Sequence, residues 1–428
     1  MGMTDWTVMR HLARPALAAT MALGLAGGIA GSIAAAQDGP PAPPPPPANC
    51  SEIAMGLNSP RQFLLGSDGT LYIAEAGTGG DEVVSQPPVG EAEVGTPAAE
   101  GTPAAEGTPA AEGTPAAEGE GEGAGGEEGA MPPSTRGYTG QVTAIAPDGT
   151  QSVLASGFAS YSDGVGPSAL AEIDGMLYLA VGGSGHIAGA GQIEGENVVF
   201  AIDPATGEAT PLADLGQIEI DENPDGQDVN PNLYAMVAGP DGMLYVADAG
   251  GNTIYTVDPE TGDAQIHVVL PTLDELMGGE LTGTPVTDGA PPRQAVPTAL
   301  AFDPDGNLVV ALLSEGWPTD APSILRVESD GSVTPVANGL QAVVSMAYGP
   351  DGALYVVQLT TDFMTLAPGV VLRIDEDGTA TPALEGLFIP HGLAFQENGT
   401  AFVGTVALAL GPGMTGGALS CTDVAPSV

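Results

Sequence analysis

Four histidines, two cysteines and a large excess of carboxylates carry the side-chain chemistry open to this 428-residue chain. Against 54 Asp+Glu stand seven cations, and every one is an arginine, giving a formal charge of −47. Without lysine, a Schiff base and a P-loop are both closed. A phosphate-binding groove needs clustered cations, so nucleic acid is excluded as a partner, and so is a polybasic membrane patch. His11, His186, His267 and His391 form no HxxH or HExxH pattern, which argues against zinc. Gly182-Gly183-Ser184-Gly185 stops short of a nucleophile elbow, because His186 stands where the last glycine belongs. No nucleophile–base pair can be named.

What positions these residues is an internal repeat. Asp68-Gly69-Thr70-Leu71-Tyr72-Ile73-Ala74 aligns with Asp174-Gly175-Met176-Leu177-Tyr178-Leu179-Ala180 and with Asp241-Gly242-Met243-Leu244-Tyr245-Val246-Ala247. Further copies begin at Asp305, Asp351 and, in degenerate form, Asn398. Each sets Asp-Gly or Asn-Gly between two apolar runs, the strongest short hairpin signal because that turn needs positive φ. A second hairpin follows in each unit, turning at Asp148-Gly149, Pro204 to Gly207, Pro259 to Gly262, Asp330-Gly331 and Asp377-Gly378. Two hairpins make four strands, A to D from the axis outward. Six units predict an all-β, six-bladed β-propeller spanning residues 50–428; a β-sandwich would not require the same strand text six times.

Two stretches fall outside the repeat. Residues 1–36 read as a secretory signal peptide, with Arg10, His11 and Arg14 before an Ala/Gly-rich run and Ala34-Ala35-Ala36 as the cleavage site. The alternative, an uncleaved anchor, is a poor hydrocarbon match. Residues 37–49 form a Pro-rich spacer. Within the first unit, residues 84–136 form a low-complexity acidic insertion; from Gly95 the unit Gly-Thr-Pro-Ala-Ala-Glu recurs four times and dissolves into Gly and Glu up to Gly129, a tract with no large apolar residue to bury that is expected to be disordered. The location implied is extracytoplasmic, secreted or cell-surface, with no membrane span after cleavage.

The ring is expected to close through its ends. The strand-D phrase of Leu384-Glu385-Gly386-Leu387 recurs at Ala54-Met55-Gly56-Leu57, ahead of any unit of its own, while the sixth unit runs out after a third strand. The stray strand completes the truncated unit and removes the open edges. On the ruler of the fifth unit, Cys50 falls on Ala380 and Cys421 on Ile374, which face each other across a turn. A Cys50–Cys421 disulfide is the expectation, with two free thiols as the alternative.

These residues carry a family resemblance. Asn58-Ser59-Pro60-Arg61, Ala74-Glu75-Ala76-Gly77-Thr78-Gly79-Gly80, Gly140-Gln141-Val142, Asn223-Pro224-Asp225-Gly226 and Ala247-Asp248-Ala249-Gly250-Gly251-Asn252 resemble the ScyD/ScyE family, exported NHL-like propellers. The Asp-Gly-x-Leu-Tyr-Val piece is shared with gluconolactonase-like propellers, which hold a divalent ion at the channel mouth with Glu, Asn and Asp. That resemblance implies Glu75, Asn230 and Asp248 as hard oxygen ligands for Ca²⁺. In a propeller the B–C and D–A loops emerge together beside the channel, so the Asp-Gly turns lie on the back and are structural. The front gathers His186, Asp228, Asn252, Glu315, Trp317 and His391 as candidates for binding. Two functions follow. One is a module binding a small molecule, glycan or protein through its top face; the alternative is a metal-dependent enzyme of the lactone hydrolase or lyase type.

Overall fold

The computed structural model describes residues 44–84, 134–186, 189–278, 292–316, 321–362, 365, 367–408 and 414–427. The segment expected to be a signal peptide, most of the expected spacer, the Gly-Thr-Pro-Ala-Ala-Glu tract and Trp317 lie outside the described residues. Strand β1 (Cys50–Leu57) is followed by blade I, made of β2 (Pro60–Leu65), β3 (Leu71–Glu75), a short β4 (Glu82–Val84), β5 (Ser134–Ile145) and β6 (Gln151–Tyr161). Blade II is β7 (Pro167–Ile173), β8 (Met176–Val181), β9 (Val198–Ile202) and β10 (Ala209–Asp214), then helix α1 (Leu215–Glu222). Blade III is β11 (Leu233–Ala238), β12 (Leu244–Asp248), β13 (Thr253–Val257) and β14 (Ala264–Val269), followed by the one-turn helix α2 (Leu273–Leu276). Blade IV is β15 (Pro297–Phe302), β16 (Leu308–Leu312), β17 (Pro322–Val327) and β18 (Val333–Asn338). Blade V is β19 (Val343–Tyr348), β20 (Leu354–Gln358), β21 (Gly369–Ile374) and β22 (Ala380–Leu387). The last strands are β23 (His391–Phe395), β24 (Ala401–Thr405) and β25 (Gly416–Cys421). The protein is a six-bladed β-propeller.

The repeated heptad is explained by its hydrogen bonds. The turn glycines take left-handed φ, 83° at Gly242 and 76° at Gly352, where a side chain would be strained. In four of the copies the residue before the glycine accepts a backbone N–H two residues on, as Asp68 does from Thr70 at 2.8 Å, and in the fourth copy Asp303 takes the Asn307 N–H instead. The tyrosine of the motif reaches back to the same aspartate: Tyr245 donates to Asp241 at 3.0 Å and Tyr355 to Asp351 at 3.2 Å. Asp-Gly-x-Leu-Tyr is thus a self-capping hairpin. The β12 run Leu244-Tyr245-Val246-Ala247 is buried on both faces, between neighbouring blades. The innermost strands crowd together around the axis, which favours small residues such as Ala169, Ala171, Ala299 and Ala301, all buried.

Blade VI is built from both ends of the chain. Its order is β1-β25-β24-β23, so the first strand of the fold is the outermost strand of the last blade. Cys50 stands opposite Cys421 in that ladder and is joined to it by a disulfide across a sequence separation of 371. In blade V the same register pairs Ala380 with Ile374. Asn49 extends the join, its side chain donating to the Thr422 carbonyl at 2.7 Å. Cys421 is fully buried in the apolar cluster between blades V and VI.

A loop this long is credited with about 5 kcal/mol of stabilisation on the chain-entropy account. Reduction, or Cys421→Ser, is therefore expected to lower the melting temperature. Hydrogen exchange should rise first in β1 and β25, ahead of global unfolding. Protection unchanged after reduction would mean that strand pairing alone closes the ring.

Candidate functional site

Six inner strands enter the fold from the same face, so residues at one register position encircle the axis. Counted back from the first hairpin turn of each blade, the equivalent residues are Arg61, Ser168, Tyr234, Thr298 and Val344, each the second of its strand, and His391, the first of β23. Four of them follow a proline (Pro60, Pro167, Pro297, Pro390), whose missing N–H suits the start of a strand. All but His391 line a cavity of about 90 Å³ at the channel mouth. Asp163, Asn230, Asn232 and Glu315 add polar groups to its wall, and Leu233, Val296, Leu313 and Leu408 add apolar ones.

Most of these polar groups are already engaged. Ser168 donates to the Leu233 carbonyl at 2.9 Å and Thr298 to the Val343 carbonyl at 2.6 Å, so both hydroxyls staple one blade to the next. Glu315 accepts the Gln294 N–H at 2.8 Å. Burial pushes the carboxyls of Glu315 and Asp163 upward, and one Asp163 oxygen has no hydrogen-bond partner. Arg61 spends one guanidinium N–H on the Gly164 carbonyl. Gly164 is a required glycine: its φ is +86°, and a Cβ there would meet the Arg61 guanidinium at 2.6 Å.

Below the cavity Tyr234 meets His391, Oη to Nε2 at 3.1 Å. The His391 Nδ1 accepts the Gly392 N–H at 2.8 Å. Burial holds this imidazole neutral, well below its ordinary pKa, and the nearby Arg61 charge acts in the same direction. Burial likewise raises the Tyr234 phenol. Tyr234 lines both the mouth cavity and a narrower space deeper in the channel; His391 lines only the deeper one.

The residues singled out from sequence are distributed as follows. Asn230 and Glu315 are on the cavity wall. His391 is in the channel rather than on the open face. Asn252 is 2% exposed and is a staple between blades, not a free surface group. Its amide donates to Asp225 at 2.9 Å and to Gln294 at 2.7 Å, and its carbonyl accepts the Val296 N–H at 3.0 Å. His186 is half-buried in a loop, and Asp228 is exposed. Glu75 is fully buried with its oxygens consumed inside blade I, by the Asn58 N–H at 2.6 Å, by Gln141 at 2.9 Å and by the Thr143 hydroxyl. Neither Glu75 nor Asp248 lines the cavity, so the structure does not gather Glu75, Asn230 and Asp248 around it. Among the described residues no group of three or more His, Cys, Asp or Glu is arranged to hold a metal ion.

Sequence reasoning missed a second buried acid beside Asp248. One Asp248 oxygen accepts the N–H groups of Asn232 (2.8 Å), Gly250 (3.1 Å) and Gly251 (3.0 Å), and the other has no partner. Glu219, on the α1 face buried against blade III, sits against Gly251, where a Cβ would meet its carboxylate at 2.7 Å. Both Glu219 oxygens and the hydroxyl of fully buried Tyr255 lack hydrogen-bond partners. Burial, reinforced by the charges of Asp248 and Asp225, pushes Glu219 up to about 8; the Asn230 N–H opposes the shift. Burial takes Asp248 up to about 6 against its three N–H donors.

No family model matches this chain, and no curated protein matches it. Among solved structures it is similar to a Staphylococcus aureus virginiamycin B lyase, at 12% identity and a TM-score of 0.45, over 87% of this chain and 98% of that one. It is also similar to a gluconolactonase from Xanthomonas campestris, at 12% identity and a TM-score of 0.47, over 87% of this chain and 89% of the other. A putative gluconolactonase is similar at 11% identity and a TM-score of 0.45, over 88% and 93% of the two chains. These are likenesses of fold, and neither activity passes to this chain through them.

The Glu219 shift fixes a pH dependence. Between its ordinary 4.5 and about 8 the folded protein holds a proton that the unfolded chain has released. Stability should therefore fall as pH rises through that window, by up to about 1.4 kcal/mol per pH unit for one proton. In chelated buffer, Glu219→Gln should make the melting temperature fall less steeply between pH 5 and 8, most clearly above pH 7, because burial also raises Asp248 to about 6 and Glu196 to about 7. A wild-type curve that rises over that range, or a variant curve parallel to it, would assign the proton elsewhere.

Proposed function

We propose that this protein is an extracytoplasmic binding module whose ligand is a small molecule seated over the mouth of the central channel. The observation that carries the reading is the mouth cavity itself, where apolar walls from several blades surround a few polar groups on the axis. That is the composition of small-molecule sites, which fix orientation with few polar contacts and draw affinity from apolar burial. Its concavity favours a small molecule over a protein, which needs a surface of at least about 1,000 Å². The resemblance to ScyD/ScyE proteins, the signal-peptide reading of residues 1–36 and the disulfide support an exported protein.

The test is a ligand-detected NMR screen of mixed small fragments on the full chain. Hits are expected on wild type and should be lost in Val344→Phe, which fills the cavity from an inner strand. Circular dichroism and melting would confirm that the variant is folded. No hits, or hits indifferent to Val344→Phe, would overturn the reading.

A second reading, a divalent cation serving either structure or metal-assisted hydrolysis, is favoured by one observation. Glu219, Asp248 and Tyr255 leave four buried oxygens without partners, a donor set of hard oxygens only. Glu219 and Asp248 would hold Ca²⁺, which when bound would supply positive charge between them. Both are fully buried and off the cavity wall, which suits a structural ion better than a Lewis acid open to substrate. Added Ca²⁺ should then raise the melting temperature of wild type and not of Asp248→Ala. An equal rise in both would reduce the effect to screening of the −47 charge.

A further inference from the structure

Resting on the reading of the mouth cavity as a ligand site, we propose that its ligand carries an acceptor head, a carboxylate or a carbonyl, on a compact apolar body. Arg61 and Tyr234 receive that head, and His391 positions Tyr234. The argument begins with where hydrogens must be. Gly392 donates its N–H to His391 Nδ1, so Nδ1 is the bare nitrogen of the ring. A neutral imidazole then carries its one proton on Nε2. We assign that proton to the contact with Tyr234 Oη, 3.1 Å away; the Arg61 carbonyl also accepts from the ring. The phenol oxygen is thereby an acceptor toward His391, and its own O–H is turned away from the histidine, on a residue that lines the cavity.

The second donor is Arg61. One of its N–H groups is held by the Gly164 carbonyl, which fixes the guanidinium in place. Arg61 forms no ion pair among the described residues, and beyond the Gly164 carbonyl its guanidinium is hydrogen-bonded only to the Tyr234 phenol, which leaves further N–H groups for a ligand. The guanidinium and the Tyr234 phenol are close enough to influence each other. The other hydroxyls of the ring, on Ser168 and Thr298, give their protons to blade backbone. The inner ring therefore offers a ligand two donors and no free hydroxyl besides. A guanidinium N–H and a phenol O–H on one axis match the lone pairs of a carboxylate or carbonyl, and they repel an ammonium. The apolar residues Leu233, Val296, Leu313 and Leu408 receive the body.

Three probes with the same branched apolar body separate the heads: isobutyrate, isobutyramide and isobutylamine, titrated into the full chain by saturation-transfer NMR. Isobutyrate and isobutyramide are expected to bind, with isobutylamine about tenfold weaker or worse. Arg61→Gln should weaken isobutyrate more than isobutyramide, while Tyr234→Phe should weaken both. For the positioning residue, His391→Gln retains an N–H donor toward Tyr234 and should keep the preference, whereas His391→Leu should lose it at an unchanged fold by circular dichroism. Isobutylamine binding as well as isobutyrate, or Tyr234→Phe binding both acceptors as wild type does, would overturn the donor assignment while leaving the cavity a ligand site. If none of the three binds, the donor assignment fails. If the fragment screen is also silent, the ligand-site reading fails with it.

Discussion

Everything at the channel depends on closure of the ring by two strands from opposite ends of the chain. The mouth cavity takes residues from inner strands of five blades, and His391 beneath it comes from the sixth. If β1 left β25, blade VI would lose its outer strand and Cys421 its place in the cluster between blades V and VI. The inner strand β23 would then lack the packing that holds His391 against Tyr234. A single long-range pairing thus sets the geometry of a site far from it in sequence. The disulfide makes that pairing covalent, so the circle no longer relies on the hydrogen bonds of one edge.

The electrostatics follow from scarcity of positive charge. Among the described residues Arg136 pairs with Glu82, Arg293 with Asp274, Arg326 with Glu328, and Arg373 with Asp351 and Asp375. Arg61 alone is left unpaired, and it stands on the axis. Elsewhere the fold buries carboxylates with backbone N–H groups, as Asp248 illustrates, because no cations are to hand. Where N–H groups run out, as at Glu219, burial forces the proton on. Two carboxyls, Asp163 and Glu315, share the cavity wall with Arg61, and burial raises both toward their neutral forms while the Arg61 charge acts on Asp163 in the opposite direction. At a physiological Debye length of about 8 Å the remote surface charges are screened, so this local balance sets the field at the mouth.

The sequence was legible where its signals are local. Asp-Gly-x-Leu-Tyr announced each hairpin because turn, Asx contact and tyrosine return all lie within a few residues. The disulfide register was legible because the fifth blade supplied a template with the same spacing. The site was less so. Arg61, Tyr234 and His391 occupy one structural position but share no residue type, so the alignment that found the blades passed over the ring they form. The proline preceding Arg61, Ser168, Thr298 and His391 was the available marker. Glu219 gave no sign, since the contact that buries it against Gly251 joins a helix before blade III to a turn within it. Glu75 and Asp248 misled for the opposite reason. A carboxylate at the end of a second strand can cap backbone N–H groups as readily as face a channel: Glu75 is consumed by Asn58, Gln141 and Thr143, while Asp248 caps with one oxygen and leaves the other without a partner.

That division of labour explains how one scaffold keeps its shape while its mouth changes. At the equivalent position of each inner strand, two residues serve the ring: Ser168 and Thr298 bond the first residue of the next blade. Three others, Arg61, Tyr234 and His391, serve the channel, and Val344 fills space. The staples flank Tyr234 on both sides and Arg61 on one, while His391 stands between Val344 and Arg61. A substitution at Arg61 or Tyr234 touches the polar contacts across the channel and leaves the two hydroxyl-to-backbone staples between neighbouring blades in place. A substitution at Ser168 or Thr298 leaves the chemistry and loosens the circle that aims it. On the proposed reading, ligand chemistry is written at one register position, and interblade stability at the same position in the adjoining blades.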